Sequence, residues 1–202
     1  MKYLRIRSYA LEGRFTGNKK RFCLFKKAKP KKVNHQPIID ETPSSLIEAE
    51  IKAFAPEAHL FTGGDLEVYI TKLSPESAIM RELSRLREIT FRSVGEGTGL
   101  SKDTDVYDAE YLHLFIWNAK AKEIVGAYRL GLADKICEKF GVRGLYTHTL
   151  FKFNENLTDK ILPGIELGRS FVRPEYQKAF QPLLYLWKGI GTFISRNPQY
   201  VN

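Results

Sequence analysis

The pattern of apolar and polar positions resolves the chain into a short series of strands and helices. LEVYITK (66–72) alternates and is rich in β-branched and aromatic types, which predicts a strand. SPESAIMRELSRLREITFRSV (74–94) then sets Ile79, Leu83, Leu86 and Ile89 or Thr90 on one helical stripe, with Ser74 as N-cap and Pro75 at the first helical position. A Gly/Asp-rich loop follows over 95–110. YLHLFIWN and KEIVGAYRLGLA read as two strands joined by a short turn over 118–122, an antiparallel hairpin. KICEKF is a short helix stopped by Gly141, and YTHTLFKF fits strand or helix, with helix favoured. ILPGIELGRSFV is the third main strand, and PLLYLWKGIGTFISRN is a closing helix whose apolar content predicts burial. The stretch 34–64 holds Pro37, Pro43, Pro56, Gly63 and Gly64 and reads as a connector carrying one helix over 44–55, capped by Ser44 or Ser45. This order predicts an α/β (α+β) domain, a mixed sheet flanked by helices.

Charge changes the picture at one end only. The net charge is +9, yet residues 1–33 hold twelve Lys/Arg and one acid, leaving twenty Lys/Arg against twenty-two acids elsewhere. The expected organisation is a basic arm (1–33), a connector (34–64) and a domain (65–202). Phe15, Phe22, Leu24 and Phe25 lie among the cations of the arm. A solvated tail, an anionic membrane surface and nucleic acid are its possible settings. The aromatics favour the membrane, and a body without basic surplus argues against nucleic acid. The sequence has no apolar run long enough to span a bilayer and no apolar leader core. Cys23 and Cys137 have neither CxxC nor zinc spacing, so a reduced cytoplasmic protein at the membrane face is the expectation.

Candidate chemistry concentrates in ELGRSFVRPEYQ (166–177). A charged pair in an apolar strand costs several kcal/mol unless both charges are matched. Glu166 and Arg169 are three apart, and Gly168 between them leaves room for a bulge or a close backbone approach. Arg87 and Phe91 lie one turn apart on the long helix. Asp103, Asp105 and Asp108 punctuate the loop, and Arg129 is polar inside a strand. Each has a plain alternative: an exposed charge, turn chemistry, or a cross-sheet ion pair. DTDVYD lacks the glycine and distal glutamate of a calcium loop, the GEGTG stretch is not a phosphate loop, and no metal is expected. His113, inside an apolar strand, reads as a satisfied half-buried residue.

Together, LRxxxF on a helix, DxxD in the next loop, GAYRL on a strand and ExxR before a long helix resemble the acyl-homoserine-lactone synthases. RLREITFRSVGEGTG, HLFIWN, EIVGAYRLG and ELGRSFVRPEYQ are similar in detail to their relatives, the acyl-carrier-protein-dependent N-acyltransferases that make ornithine and glycine lipids. These belong to the GNAT superfamily and are often labelled hemolysin-like. The resemblance spans roughly residues 66–197.

It implies a GNAT-like, mainly antiparallel sheet and transfer of a fatty acyl group from an acyl-carrier-protein thioester to an amino-acid amine. The phosphopantetheine thioester is then a substrate, and no bound cofactor is implied. Glu166, or an acid of the loop such as Asp105 or Asp108, would deprotonate the amine. Arg129 and Arg169 would pair with the acids and set the geometry. Arg87 and Phe91 match substrate-binding positions. The N–H groups of Phe171 and Val172 are candidates for the oxyanion, and the helix N-terminus beyond Val172 suits the pantetheine phosphate. Two departures stand out. RPEYQKAFQ has no glycine, which favours a carrier protein over a free coenzyme donor. The resemblance also implies further strands after the last helix, and an arm like the tail of a preceding glycerolipid-acyltransferase-like domain. The expectation is a fragment or split gene product lacking C-terminal strands. The alternative reading is a truncated, non-catalytic module that binds membrane or acyl carrier protein.

Overall fold

The computed structural model describes residues 35–151, 153 and 161–200. The expected basic arm, 1–33, lies outside the described residues. Five strands form one antiparallel sheet in chain order: β1 (His59–Gly63), β2 (Leu66–Lys72), β3 (Leu112–Asn118), β4 (Glu123–Leu132) and β5 (Ile165–Val172). The helices among the described residues are α1 (Ser44–Lys52), α2 (Ala78–Ser93), α3 (Ala133–Phe140) and α4 (Phe180–Arg196). The α/β architecture expected from the periodicity is therefore present.

The strand alternation decides which helix covers which face. Tyr69, Phe115, Trp117, Ala127 and Phe171 point to one side and pack with Ile79, Met80, Leu83 and Leu86 of α2. Val68, Ile70, Leu114, Ile116 and Leu130 point to the other and pack with Leu186, Ile190 and Phe193 of α4. The helix approaches closely at Gly189, where a Cβ would lie 2.9 Å from Leu114 Cδ1.

Several boundaries differ from those the sequence predicts. β1 lies in the stretch expected as a connector, and residues 34–202 form one compact unit. α2 begins three residues later than Ser74 and Pro75 suggest. Ser77 is the N-cap, and its Oγ accepts the Met80 N–H at 3.1 Å. The carboxylate of Glu50 on α1 accepts from Ser77 Oγ (2.7 Å), Ala78 N–H (2.6 Å) and Ile79 N–H (3.1 Å). A cap supplied from another helix leaves no local signature. YTHTLFKF shortens to one 3-10 turn, Tyr146–Thr149. α4 is not buried as its composition suggests: Phe180 is 74% and Trp187 55% exposed. The described helices include none long and apolar enough to cross a membrane.

Candidate active site

The site lies on the α2 side of the sheet, where β3, β4 and β5 meet the loop that follows α2. Pairing sets His113 opposite Arg129, and Arg129 opposite Gly168. These groups therefore form one row across three strands. Arg87 rises beneath that row from the buried face of α2 and is 1% exposed.

Three arginines and three aspartates meet here. Arg87 NH1 donates to Asp108 Oδ1 at 2.7 Å, and Arg129 NH1 donates to Asp105 Oδ1 at 2.6 Å and Asp108 Oδ1 at 3.0 Å. Arg169 NH2 donates to Asp105 Oδ2 at 3.2 Å, and its Nε lies 3.4 Å from Asp103 Oδ2. The loop locks itself through Asp105 N–H to Asp108 Oδ2 (3.0 Å) and Tyr107 N–H to Asp105 Oδ1 (3.0 Å). Equal numbers of opposite charges let this group stay buried. Burial pushes the Asp108 carboxyl up, but Arg87, the Asp105 N–H and Arg129 hold it below the ordinary carboxylate range. Burial wins at Asp103, whose pKa is raised despite Arg169 and Arg87.

His113 is fully buried. Its Nε2 lies 2.9 Å from the Asp108 carbonyl and its Nδ1 3.3 Å from Arg87 NH2. A carbonyl can only accept and a guanidinium only donate, so Nε2 carries the proton and Nδ1 is the acceptor. Burial, then the Arg87 charge, lowers its pKa to about 4. The imidazole is thus a neutral spacer, satisfied as expected but deeper than expected.

Glu166 stands apart from the ion network. Its Oε2 accepts from Tyr111 Oη and from the Tyr146 N–H (3.1 Å), and its Oε1 accepts from the Thr147 N–H at 2.5 Å. All three donors are neutral, so the carboxylate is held without a cation. It lines a cavity of about 370 Å³ whose other walls include Leu145, Phe151, Ile161 and Leu167. A carboxylate aimed into apolar space and fixed by neutral donors is arranged to accept a proton from a guest. Tyr107, Tyr111 and Tyr146 surround the Arg129 guanidinium, with centroids 5.8, 5.0 and 5.5 Å from its Cζ.

Of the residues expected in the site, Asp105, Asp108, Arg129 and Arg169 meet as an ion network, and Glu166 lies beside it. Arg87 is buried under Asp108 and fixes that acid from below, so it is not open to a substrate. Phe91 is partly buried against the α2 core. The bulge suggested by Gly168 exists, one residue further on. Pairing shifts between Ala127–Phe171 and Arg129–Gly168, so Arg169 and Ser170 together oppose Tyr128. Arg169 itself takes the left-handed backbone, φ 49°. Gly168 serves no close approach, since a Cβ there would meet nothing within 4 Å.

The oxyanion candidates also change. Arg173 N–H bonds to Val125 C=O at 2.8 Å. Antiparallel alternation then points the Phe171 N–H into the ladder and the Val172 N–H to the outer side of β5. Val172 lies six residues from Glu166, on the order of 20 Å along a strand. The bulge at Arg169 and Ser170 is the nearer break in the ladder.

Tyr111, Tyr146 and Thr147 carry no signal as site residues in the sequence, whereas Asp103 stands out there only as one of three loop acids and His113 only as a satisfied strand residue. Tyr146 and Thr147 act through backbone N–H groups, which carry no side-chain signal. Among the described residues there is no cluster of His, Cys, Asp or Glu able to hold a metal.

Residues 86–188 match the family model described as an acetyltransferase (GNAT) domain. A glycine N(alpha)-acyltransferase from Phocaeicola vulgatus is 40% identical over 147 residues, covering 66% of this chain and 45% of the relative. A glycine N(alpha)-acyltransferase from Bacteroides thetaiotaomicron is 36% identical over 178 residues, covering 82% of this chain and 52% of the relative. The chain spans about half the length of these curated relatives. No solved structure matches the chain at a significant level.

Proposed function

We propose that this chain, which belongs to the acetyltransferase (GNAT) domain family, is an N-acyltransferase that moves a fatty acyl group from an acyl-carrier-protein thioester to the amine of an amino acid. The single observation that carries the reading is the Glu166 carboxylate. It has three neutral donors and no cation, and it opens onto an apolar cavity. The similarity to two glycine N(alpha)-acyltransferases supports an α-amino acceptor.

In this mechanism the amine nitrogen attacks the thioester carbonyl. Its N–H proton passes to Glu166, directly or through water, as the C–N bond forms. The C–S bond then breaks, and the thiolate is protonated. The break in the ladder at Arg169 and Ser170 offers backbone groups near the developing oxyanion. The ion network holds the loop and β5 in register, and Asp105 and Asp108 act as structural anchors for Arg129.

Two features favour a carrier-protein donor. RPEYQKAFQ, between β5 and α4, has no glycine with which to wrap a coenzyme pyrophosphate. The N-terminus of α4 has no side-chain cap and no acid in its first turn, so its free N–H groups suit one pantetheine phosphate. A cavity of about 440 Å³ lined by Val172, Gln177, Lys178 and Leu183 lies beside it. The basic residues of 1–33 would hold the protein peripherally on the cytoplasmic, anionic membrane face, where an N-acylated amino acid is a lipid product or precursor.

The test is to incubate the purified chain with a long-chain acyl carrier protein and glycine. The expected result is thiol release matched by N-acylglycine in the mass spectrum, with acyl-coenzyme A a poorer donor. Carrier-protein binding without thiol release, across a panel of amino acids, would instead identify a binding module.

A further inference from the structure

We propose that Tyr111 is the positioning residue of this site, seating the Glu166 carboxylate for proton transfer; the inference rests on Glu166 being the base of amine acylation. The pairing registers put Tyr111 and Glu166 in one row. Leu112 pairs with Leu130, so Tyr111, one residue before, stands level with Gly131, and Gly131 pairs directly with Glu166. The middle position of that row is empty of side chain. A Cβ at Gly131 would collide with the Tyr111 ring. The phenol therefore lies across β4 and reaches the next strand but one.

The direction of the hydrogen bond is set by its neighbours. Tyr111 Oη accepts the Tyr146 N–H at 3.0 Å and donates its proton to Glu166 Oε2. The same Tyr146 N–H also reaches Oε2, and Thr147 N–H holds Oε1. Both carboxylate oxygens are thus fixed, and Tyr111 is the one side chain among the three donors. The ring is itself immobilised. It is 2% exposed, stacks under Arg129 with its centroid 5.0 Å from Cζ, and meets Tyr107 edge-on at 6.0 Å. Through this ring the Arg129–Asp105–Asp108 network sets the orientation of a carboxylate that it does not touch. Burial, together with the bond to Glu166, raises the phenol pKa, so Tyr111 remains a donor through the reaction. The proton lost by the amine goes to Glu166, and Tyr111 keeps its own.

The variant Tyr111→Phe keeps the ring and removes only the hydroxyl, while the Tyr146 N–H it leaves still reaches Glu166 Oε2. Tyr200→Phe is its control, since it deletes a buried hydroxyl bonded to Asp134 Oδ1 at 2.9 Å on the α4 side. Acyl transfer by wild type, Y111F, Y200F and E166Q is measured as a function of donor concentration. In Y111F, kcat falls about 10- to 100-fold with donor KM within about two-fold, as loss of one hydrogen bond to a charged group implies. Y200F matches wild type. Gly131→Ala, which keeps the hydroxyl but displaces the ring, lowers kcat in the same way and decides the matter if Y111F folds poorly. A kcat for Y111F within about two-fold of wild type, or a fall matched by a comparable rise in donor KM, overturns the proposal. An active E166Q overturns instead the reading on which it rests.

Discussion

Glu166 and Arg169, three residues apart on β5, take separate partners. Arg169 turns to Asp103 and Asp105 through a left-handed backbone, while Glu166 is held by Tyr111, Tyr146 and Thr147. The bulge at Arg169 and Ser170 lets neighbouring charges on one strand take different partners. One closes an ion network, and the other lines the cavity of about 370 Å³.

Arg129→Ala removes the cation shared by Asp105 and Asp108 and leaves two acids short of a partner. Breaking a buried pair costs roughly 3–5 kcal/mol. Urea unfolding should show a loss of about 3 kcal/mol or more, and a loss below about 1 kcal/mol would show that the network is not a stabilising unit.

Stability should depend on pH through His113. Its folded pKa is lowered from 6.5 to about 4 by burial and by Arg87. Above pH 6.5 the ring is neutral in both states and the full stability is present. As pH falls towards 4 the unfolded chain binds the proton first, so stability is lost across that window, by up to about 3 kcal/mol. Unfolding midpoints for wild type and His113→Gln should converge between pH 7 and 4.5. Parallel curves would assign the ring no part in acid sensitivity.

Glu50→Ala should destabilise the start of α2 by about 1–2 kcal/mol, since it strips three hydrogen bonds from Ser77, Ala78 and Ile79. Hydrogen exchange should rise first at Ala78 and Ile79. Uniform loss of protection across α2 would place the effect in global stability instead.

Much of the fold was legible because its signals are local. Alternation in LEVYITK marks β2, found at its expected residues, and the turn at 118–122 closes the β3–β4 hairpin. Arg129 and Arg169 were legible as charges inside apolar strands, and Asp105 and Asp108 as acids punctuating the loop after the long helix. What escaped depends on contacts distant in sequence. The Glu50 cap spans 28 residues to Ala78, and the bond from Tyr111 to Glu166 spans 55. β1 hid among prolines and glycines, because five residues alternate too briefly to stand out. The exposed apolar face of α4 could not be told from a buried one, since composition does not say what covers a helix.

Whether Glu166 is the base is decided by the rate of acyl transfer to glycine in Glu166→Gln relative to wild type, with folding confirmed for both. The amide keeps the size of the side chain but cannot take the amine's proton. General-base catalysis contributes about 10²- to 10⁴-fold, so kcat should fall by at least about 100-fold with donor KM little changed. A Glu166→Gln enzyme retaining more than about a tenth of the wild-type rate would contradict the account and move the base to another group.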